Sequence, residues 1–242
     1  GTLQLAVAVI VAIAVAWITT LAGITPREMV RETYVAPIKD FIDRYGKVAI
    51  IVLALIGFYR IADIVMGVMA NVFYTDIGFS KEEIAAVSKT FGLFMTIGGS
   101  FLGGILSVRY GVIRVLFLGA LLSAVTNILF AIMAQIPANT AMFAVVIMAD
   151  NLSGGLATAA FIAYLSGLTN ISFTAMQYAI FSSIMTLFPK VIAGFSGTAV
   201  DAVGYQAFFV GTAILGLPVL VLVVLAGRLT DVEHPKAKKP AR

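Results

Sequence analysis

Apolar runs too long for the core of a soluble domain recur along this chain, separated by short polar stretches, and they fix the solvent in which it folds. Crossing about 30 Å of hydrocarbon at about 1.5 Å per helical residue takes roughly 20 residues. Seven segments reach that length, at 3–22, 48–73, 84–107, 112–134, 140–168, 174–200 and 205–227. None shows the short alternating pattern of a transmembrane barrel strand, so all seven are predicted as helices and the fold class as all-α, a polytopic membrane protein. With 61% hydrophobic and 12% charged residues, the composition excludes an ordinary soluble domain.

Lysine and arginine fix the expected orientation, because cytoplasmic loops are enriched in them. Arg27, Arg31, Lys39, Arg44 and Lys47 precede the second segment, Arg109 and Arg114 follow the third, and Arg228, Lys236, Lys238, Lys239 and Arg242 close the chain. The intervening loops hold Lys81 beside Asp76, Glu82, Glu83 and Asp201. Gly1 is therefore expected outside and Arg242 in the cytoplasm. The net charge of +4 is then a topological signal. Nucleic acid is not an expected partner, since that would need the basic residues on one folded face with stacking aromatics.

The first segment lacks the basic flank and cleavage site of a signal peptide and is expected to span the membrane. Four regions follow: a lone helix at 1–23, a linker at 24–46, a six-helix bundle at 47–228 and a basic tail at 229–242. In the linker, Ile38, Phe41, Ile42 and Tyr45 lie at helical spacing, with Lys39, Asp40, Asp43 and Arg44 opposite. That pattern predicts an amphipathic helix at the cytoplasmic interface. Capping boxes are expected at Thr25/Glu28, Ser80/Glu83 and Thr174/Gln177. Gly99 and Gly103, and Gly119, Ser123 and Asn127, predict close-packed seams.

Polar groups inside the spans carry the functional expectation, because a charge at the centre of a membrane costs about 2.5–3.5 kcal/mol even on insertion scales and so faces a partner or a cavity. Arg60 and Asp63 are three residues apart and can pair. Asp150 has no basic residue three or four positions away and stands beside Asn151 and Ser153-Gly154-Gly155, which favours a pathway-facing role. Lys190 follows Pro189, whose missing N–H frees backbone carbonyls. Lys89 is expected near the outer mouth. Tyr59, Asn71, Asn127, Asn151, Tyr164, Gln177 and Tyr178 are the uncharged side chains suited to line the same cavity. No cysteine is present, the single histidine is His234 in the tail, and no HExxH, GxSxG, GxGxxG or phosphate-loop pattern occurs. No metal, no cofactor and no enzymatic activity are expected.

The linker, the six helices after it and the loop Gly104-Ile-Leu-Ser-Val-Arg109-Tyr-Gly111 together resemble the C-terminal half of a major facilitator superfamily transporter. The loop keeps the family's Gly104, Arg109 and Gly111, but has Val108 where an aspartate is usual and no basic pair after Gly111. The stretches 35–41, 89–93, 150–161 and 172–179 further resemble the AmpG-like muropeptide permeases of bacterial inner membranes. That resemblance implies that the first segment is the last helix of a preceding half, and that the chain is a fragment whose partner is that half. It also implies proton-driven import, for cell-wall recycling, of N-acetylglucosaminyl-anhydro-N-acetylmuramyl peptides by alternating access. Asp150 or Asp63 would then titrate, and Arg60, Lys89 or Lys190 would meet peptide carboxylates. A facilitator for a drug, a sugar or an acetyl-coenzyme A-like anion shares the architecture. Outside transport, seven helices and an intramembrane lysine also fit a heptahelical receptor or photoreceptor, although its Schiff-base lysine would belong in the seventh helix and Lys190 is in the sixth.

Overall fold

The computed structural model describes residues 26–230, together with positions 11, 14, 15 and 19. The expected first span lies almost wholly outside the described residues, as do Thr25 of the first capping box and the tail from 231 onward. Among the described residues all regular structure is helical, and six spans are long and apolar enough to cross a membrane, with mean hydropathies between 1.4 and 2.7 in their best windows. A helical turn, Arg27–Val30, and a π-helical turn, Arg31–Val35, lead into α1 (Ala36–Tyr45). The first span is α2 (Ala49–Phe58) followed by α3 (Ile61–Asp76). The second enters through Lys81–Ile84 and a π-helical stretch, Ala85–Phe91, into α4 (Gly92–Tyr110). The others are α5 (Val112–Met133), α6 (Thr140–Leu168), α7 (Thr174–Ala193) and α8 (Ser196–Leu229).

Two boundaries differ from expectation for a backbone reason. The loop expected at 201–204 is a kink inside α8, where Gly204 takes φ 77° and ψ 166°, a conformation that only glycine adopts cheaply. The true turn comes earlier, so α7 stops at Ala193 and α8 begins at Ser196. Between α4 and α5 the reversal is a single residue, Gly111 (φ 91°, ψ 147°), whose N–H closes α4 on the Ser107 carbonyl at 3.0 Å.

In hydrocarbon, helices associate through close contact rather than through the hydrophobic effect. α6 packs on α4 and α5, α5 on α8, α8 on α2 and α3, and α7 on α2 and α3. The expected glycine seam is present between α4 and α6. A Cβ added at Gly99 would stand 2.1 Å from the Leu152 carbonyl oxygen, one at Gly103 2.6 Å from that of Leu156, and one at Gly155 2.2 Å from that of Thr96. Gly119 of α5 backs in the same way onto Ala157 and the Tyr59 hydroxyl. Toward the end opposite the linker, an aromatic cluster locks the spans, with Phe73 4.8 Å from Phe209 and Phe143 4.7 Å from Tyr74 and 4.4 Å from Phe79, centroid to centroid.

The linker helix is bound to the bundle and not only amphipathic. Of its apolar face, Phe41 is buried against Tyr45 and Phe181, whereas Ile38 and Ile42 remain exposed. Asp40 and Arg44, expected on the solvent side, turn inward instead. The reason is Gln177, which is fully buried: its Nε2 donates to the Pro37 carbonyl and to Asp40 Oδ2, both at 2.9 Å. Its Oε1 accepts from Arg44 Nη2 at 3.1 Å and from the Asn170 N–H at 2.8 Å. All four hydrogen-bonding positions of the amide are thus used. Arg44 also donates to Asp40 and to the Leu168 carbonyl, and Asn170 Nδ2 donates to Asp40 Oδ1. The capping box expected at Thr174 and Gln177 is therefore absent, because Gln177 is committed to the linker and Phe173 precedes α7 without a side-chain cap. The box at Ser80 and Glu83 is complete. Gln177→Leu should cost about 2–3 kcal/mol, since it strands the Pro37 carbonyl and weakens the hold on Asp40 and Arg44. Thermal unfolding in lipid nanodiscs, with hydrogen exchange at 36–45, would register both the loss and the release of α1.

Candidate functional site

The first span breaks part-way along its length at Tyr59 and Arg60, where Arg60 leaves helical geometry (φ −99°, ψ 11°) and becomes the N-cap of α3. Asp63 sits in the first turn of α3, and its Oδ2 lies 3.0 Å from Arg60 Nε. The expected pair forms, but across a helix start rather than along an unbroken face. The contact is Coulombic, because among the described residues the Nε–H makes no hydrogen bond. Arg60 Nη1 donates to Thr158 Oγ1 of α6, and Ser123 Oγ of α5 donates to Asp63 Oδ1. Thr158 is itself oriented by donating to the Gly154 carbonyl at 2.7 Å.

Asp150 of α6 joins from the other side. Thr126 Oγ1 of α5 donates to its Oδ1 at 3.3 Å, and among the described residues no basic group pairs with it. Asp63 and Arg60 are near enough to act on it electrostatically. Asn151, the next residue, is fixed by Thr96 Oγ1, which donates to its Oδ1 at 2.8 Å, and by its own Nδ2, which donates to the Ile147 carbonyl at 3.0 Å. Arg60, Asp63, Asp150, Asn151 and Thr158 line a cavity of about 230 Å³, with Tyr74 at its wall and Gly67 and Gly154 contributing bare backbone. One guanidinium faces two carboxylates, so with all three ionised the cavity holds one uncompensated negative charge. Two larger grooves, of about 350 and 440 Å³, lie at α3/α7/α8 and on α4, and among the described residues no charged side chain lines either.

Of the candidate residues, the structure brings Arg60, Asp63, Asp150 and Asn151 together here. Tyr59 lies in the core, its hydroxyl donating to the Leu116 carbonyl at 3.0 Å and its ring stacked 4.5 Å from Phe161. Asn127 and Tyr164 are fully buried away from the cavity lining, and Tyr178 is half-buried against the core. Gln177 holds the linker. Asn71 and Lys89 are exposed, and so is Lys190, which sits in the last turn of α7 toward the end opposite the linker. Gly104 and Arg109 are exposed on α4, with the Arg109 guanidinium 5.4 Å from the Tyr110 ring centroid, and Gly111 makes the α4–α5 turn.

Sequence reasoning missed Thr158 and Thr126, whose hydroxyls meet Arg60 and Asp150, and Thr96, whose hydroxyl fixes Asn151, and it took Ser123 for a packing residue. Thr158 had a signal: it follows Gly154 by four and Asn151 by seven residues, on one helical face. Thr126 had one too, since Ser123 precedes it by three residues on the same helical face.

Residues 48–242 match the family model described as Major Facilitator Superfamily. The chain is similar to a transporter named AmpG 4 from Rickettsia conorii, 29% identical over 230 residues, which are 90% of this chain and 54% of that protein. It is 30% identical to the anhydromuropeptide permease of Escherichia coli K12 over 195 residues, 80% of this chain and 39% of the permease. An uncharacterized protein of Haemophilus influenzae is 34% identical over 190 residues, 75% of this chain and 45% of that one. The chain thus spans about half the length of the curated relatives it matches, or less. With the family model matched over residues 48–242 and six membrane-length helices among the described residues, the chain belongs to the Major Facilitator Superfamily.

Proposed function

We propose that this chain forms the C-terminal part of a proton-coupled secondary transporter that carries anhydromuropeptides into the cytoplasm across a bacterial inner membrane. The observation that carries the proposal is the cavity at the α2–α3 break, where Arg60 faces Asp63 and Asp150. A half-helix that starts inside the membrane turns the positive end of its dipole toward the site, and with a guanidinium at its N-cap it suits an anionic group. A carboxylate of the solute peptide meets the Arg60 fork in this scheme. Asp150 carries the proton. Among the described residues it has no ion-pair partner, so protonation removes the cavity's uncompensated charge and changes the balance between outward- and inward-open forms.

The partner is a second helical half that closes the other side of the cavity. Rocking of the two halves then alternates access. In this scheme 47–228 is the bundle that moves as one body, 24–46 is the cytoplasmic linker, and 229–242 is a cytoplasmic tail following the basic loops. Lipid covers the apolar outer wall of the bundle. Cells expressing the complete reading frame that encodes this chain should accumulate labelled anhydromuropeptide, and a protonophore should abolish the accumulation. Accumulation that ignores the protonophore would remove proton coupling, and none at all would redirect the search to other facilitator solutes.

A further inference from the structure

Glycine in a helix costs about 1 kcal/mol relative to alanine, so a glycine in mid-span calls for a reason. Neighbours in α6 give opposite reasons. A Cβ on Gly155 would stand 2.2 Å from the Thr96 carbonyl oxygen, so close helix contact accounts for it. A Cβ on Gly154 would meet nothing within 4 Å, and the same holds for Gly67 on α3. Both line the polar cavity that contains Arg60 and Asp150. Glycines 104, 197 and 211 also have open surroundings but do not line it. At 67 and 154 the missing side chains therefore serve the empty space between α3 and α6 and not the packing of the bundle.

We infer that Gly67 and Gly154 set the size of the solute group this half accepts: an uncharged ring-sized moiety lying against bare helix backbone, attached to a carboxylate held by Arg60. This rests on the transport function proposed above. The cavity of about 230 Å³ is below the roughly 300–1,000 Å³ of sites that enclose a whole drug-sized ligand. It takes one part of the solute, and any side chain at 67 or 154 takes that part's place.

The test uses cells expressing the complete reading frame. Gly154→Leu should lower anhydromuropeptide uptake by about tenfold or more, as expected when an occupied pocket loses several methylenes of space, with thermal unfolding unchanged. Gly154→Ala should do so less. Undiminished uptake by a folded Gly154→Leu protein would overturn the inference. A second arm does not depend on the solute: this stretch has no native cysteine, so Gly154→Cys and Gly67→Cys should react with a water-soluble maleimide, whereas Ser153→Cys, buried and outside the cavity lining, should not. Inert cysteines at 67 and 154 would overturn the inference whatever the solute. Reactive cysteines in a protein that fails to move anhydromuropeptide would uphold the open wall and reject the solute.

Discussion

Arg60→Met is expected to abolish solute uptake, by about 100-fold or more, and to destabilise the protein at the same time. The two effects have different causes and can be separated. Removing the guanidinium leaves Asp63 charged with, among the described residues, only the Ser123 hydroxyl bonded to it, and because the pair is 23% and 17% exposed the loss should be about 2–3 kcal/mol, below the cost of breaking a fully buried pair. Replacing both partners, Arg60→Met with Asp63→Leu, removes both charges and should recover most of that stability. It should not recover transport, because about 2.7 kcal/mol of charge-assisted recognition, equivalent to 100-fold, leaves with the cation. Thermal unfolding in nanodiscs beside uptake in proteoliposomes makes the comparison. A double variant that transports would show the pair to be structural only.

Gly155→Val, like a change at Gly99 across the same seam, should be among the most damaging single changes in the bundle outside the charged cluster. Its Cβ would have to displace the Thr96 carbonyl and the Ser100 amide, both backbone, so no rotamer change relieves the clash. Overpacking typically costs about 1–3 kcal/mol, and a backbone–backbone contact belongs at or above the top of that range. The expected result is a protein that inserts but does not survive detergent extraction as a folded monomer. Gly154→Val, one residue away, should extract normally, and a pair that behaved alike would contradict the α4–α6 packing described here.

Residue order alone was enough for the existence of the six spans among the described residues, because apolar length needs no tertiary information: 112–134 and 140–168 fall within a residue of α5 and α6. It was also enough for the glycine seam, since spacing of four is itself the contact. It failed where a local feature had two uses. Gly204 read as a loop, and its positive φ kinks a helix instead. Gln177 stands three residues after a threonine and read as a cap, but a partner 140 residues earlier in the chain, at Pro37, claims its amide. The break at Arg60 has no proline to announce it, so the ion pair was legible and its setting was not. For the cavity, charge in an apolar run pointed to Arg60, Asp63 and Asp150. The hydroxyls that orient them were hidden, because a threonine in a membrane helix that bonds its own preceding carbonyl reads the same as one that reaches across.

Whether the cavity between α3, α4 and α6 holds both solute and proton is decided by two assays on Asp150→Asn in proteoliposomes of the complete protein. Asparagine keeps an acceptor for the Thr126 hydroxyl and removes the titrating group. Solute exchange at equal concentrations should persist while accumulation driven by a proton gradient is lost. Accumulation equal to that of the unmodified protein would contradict this and move the proton site elsewhere.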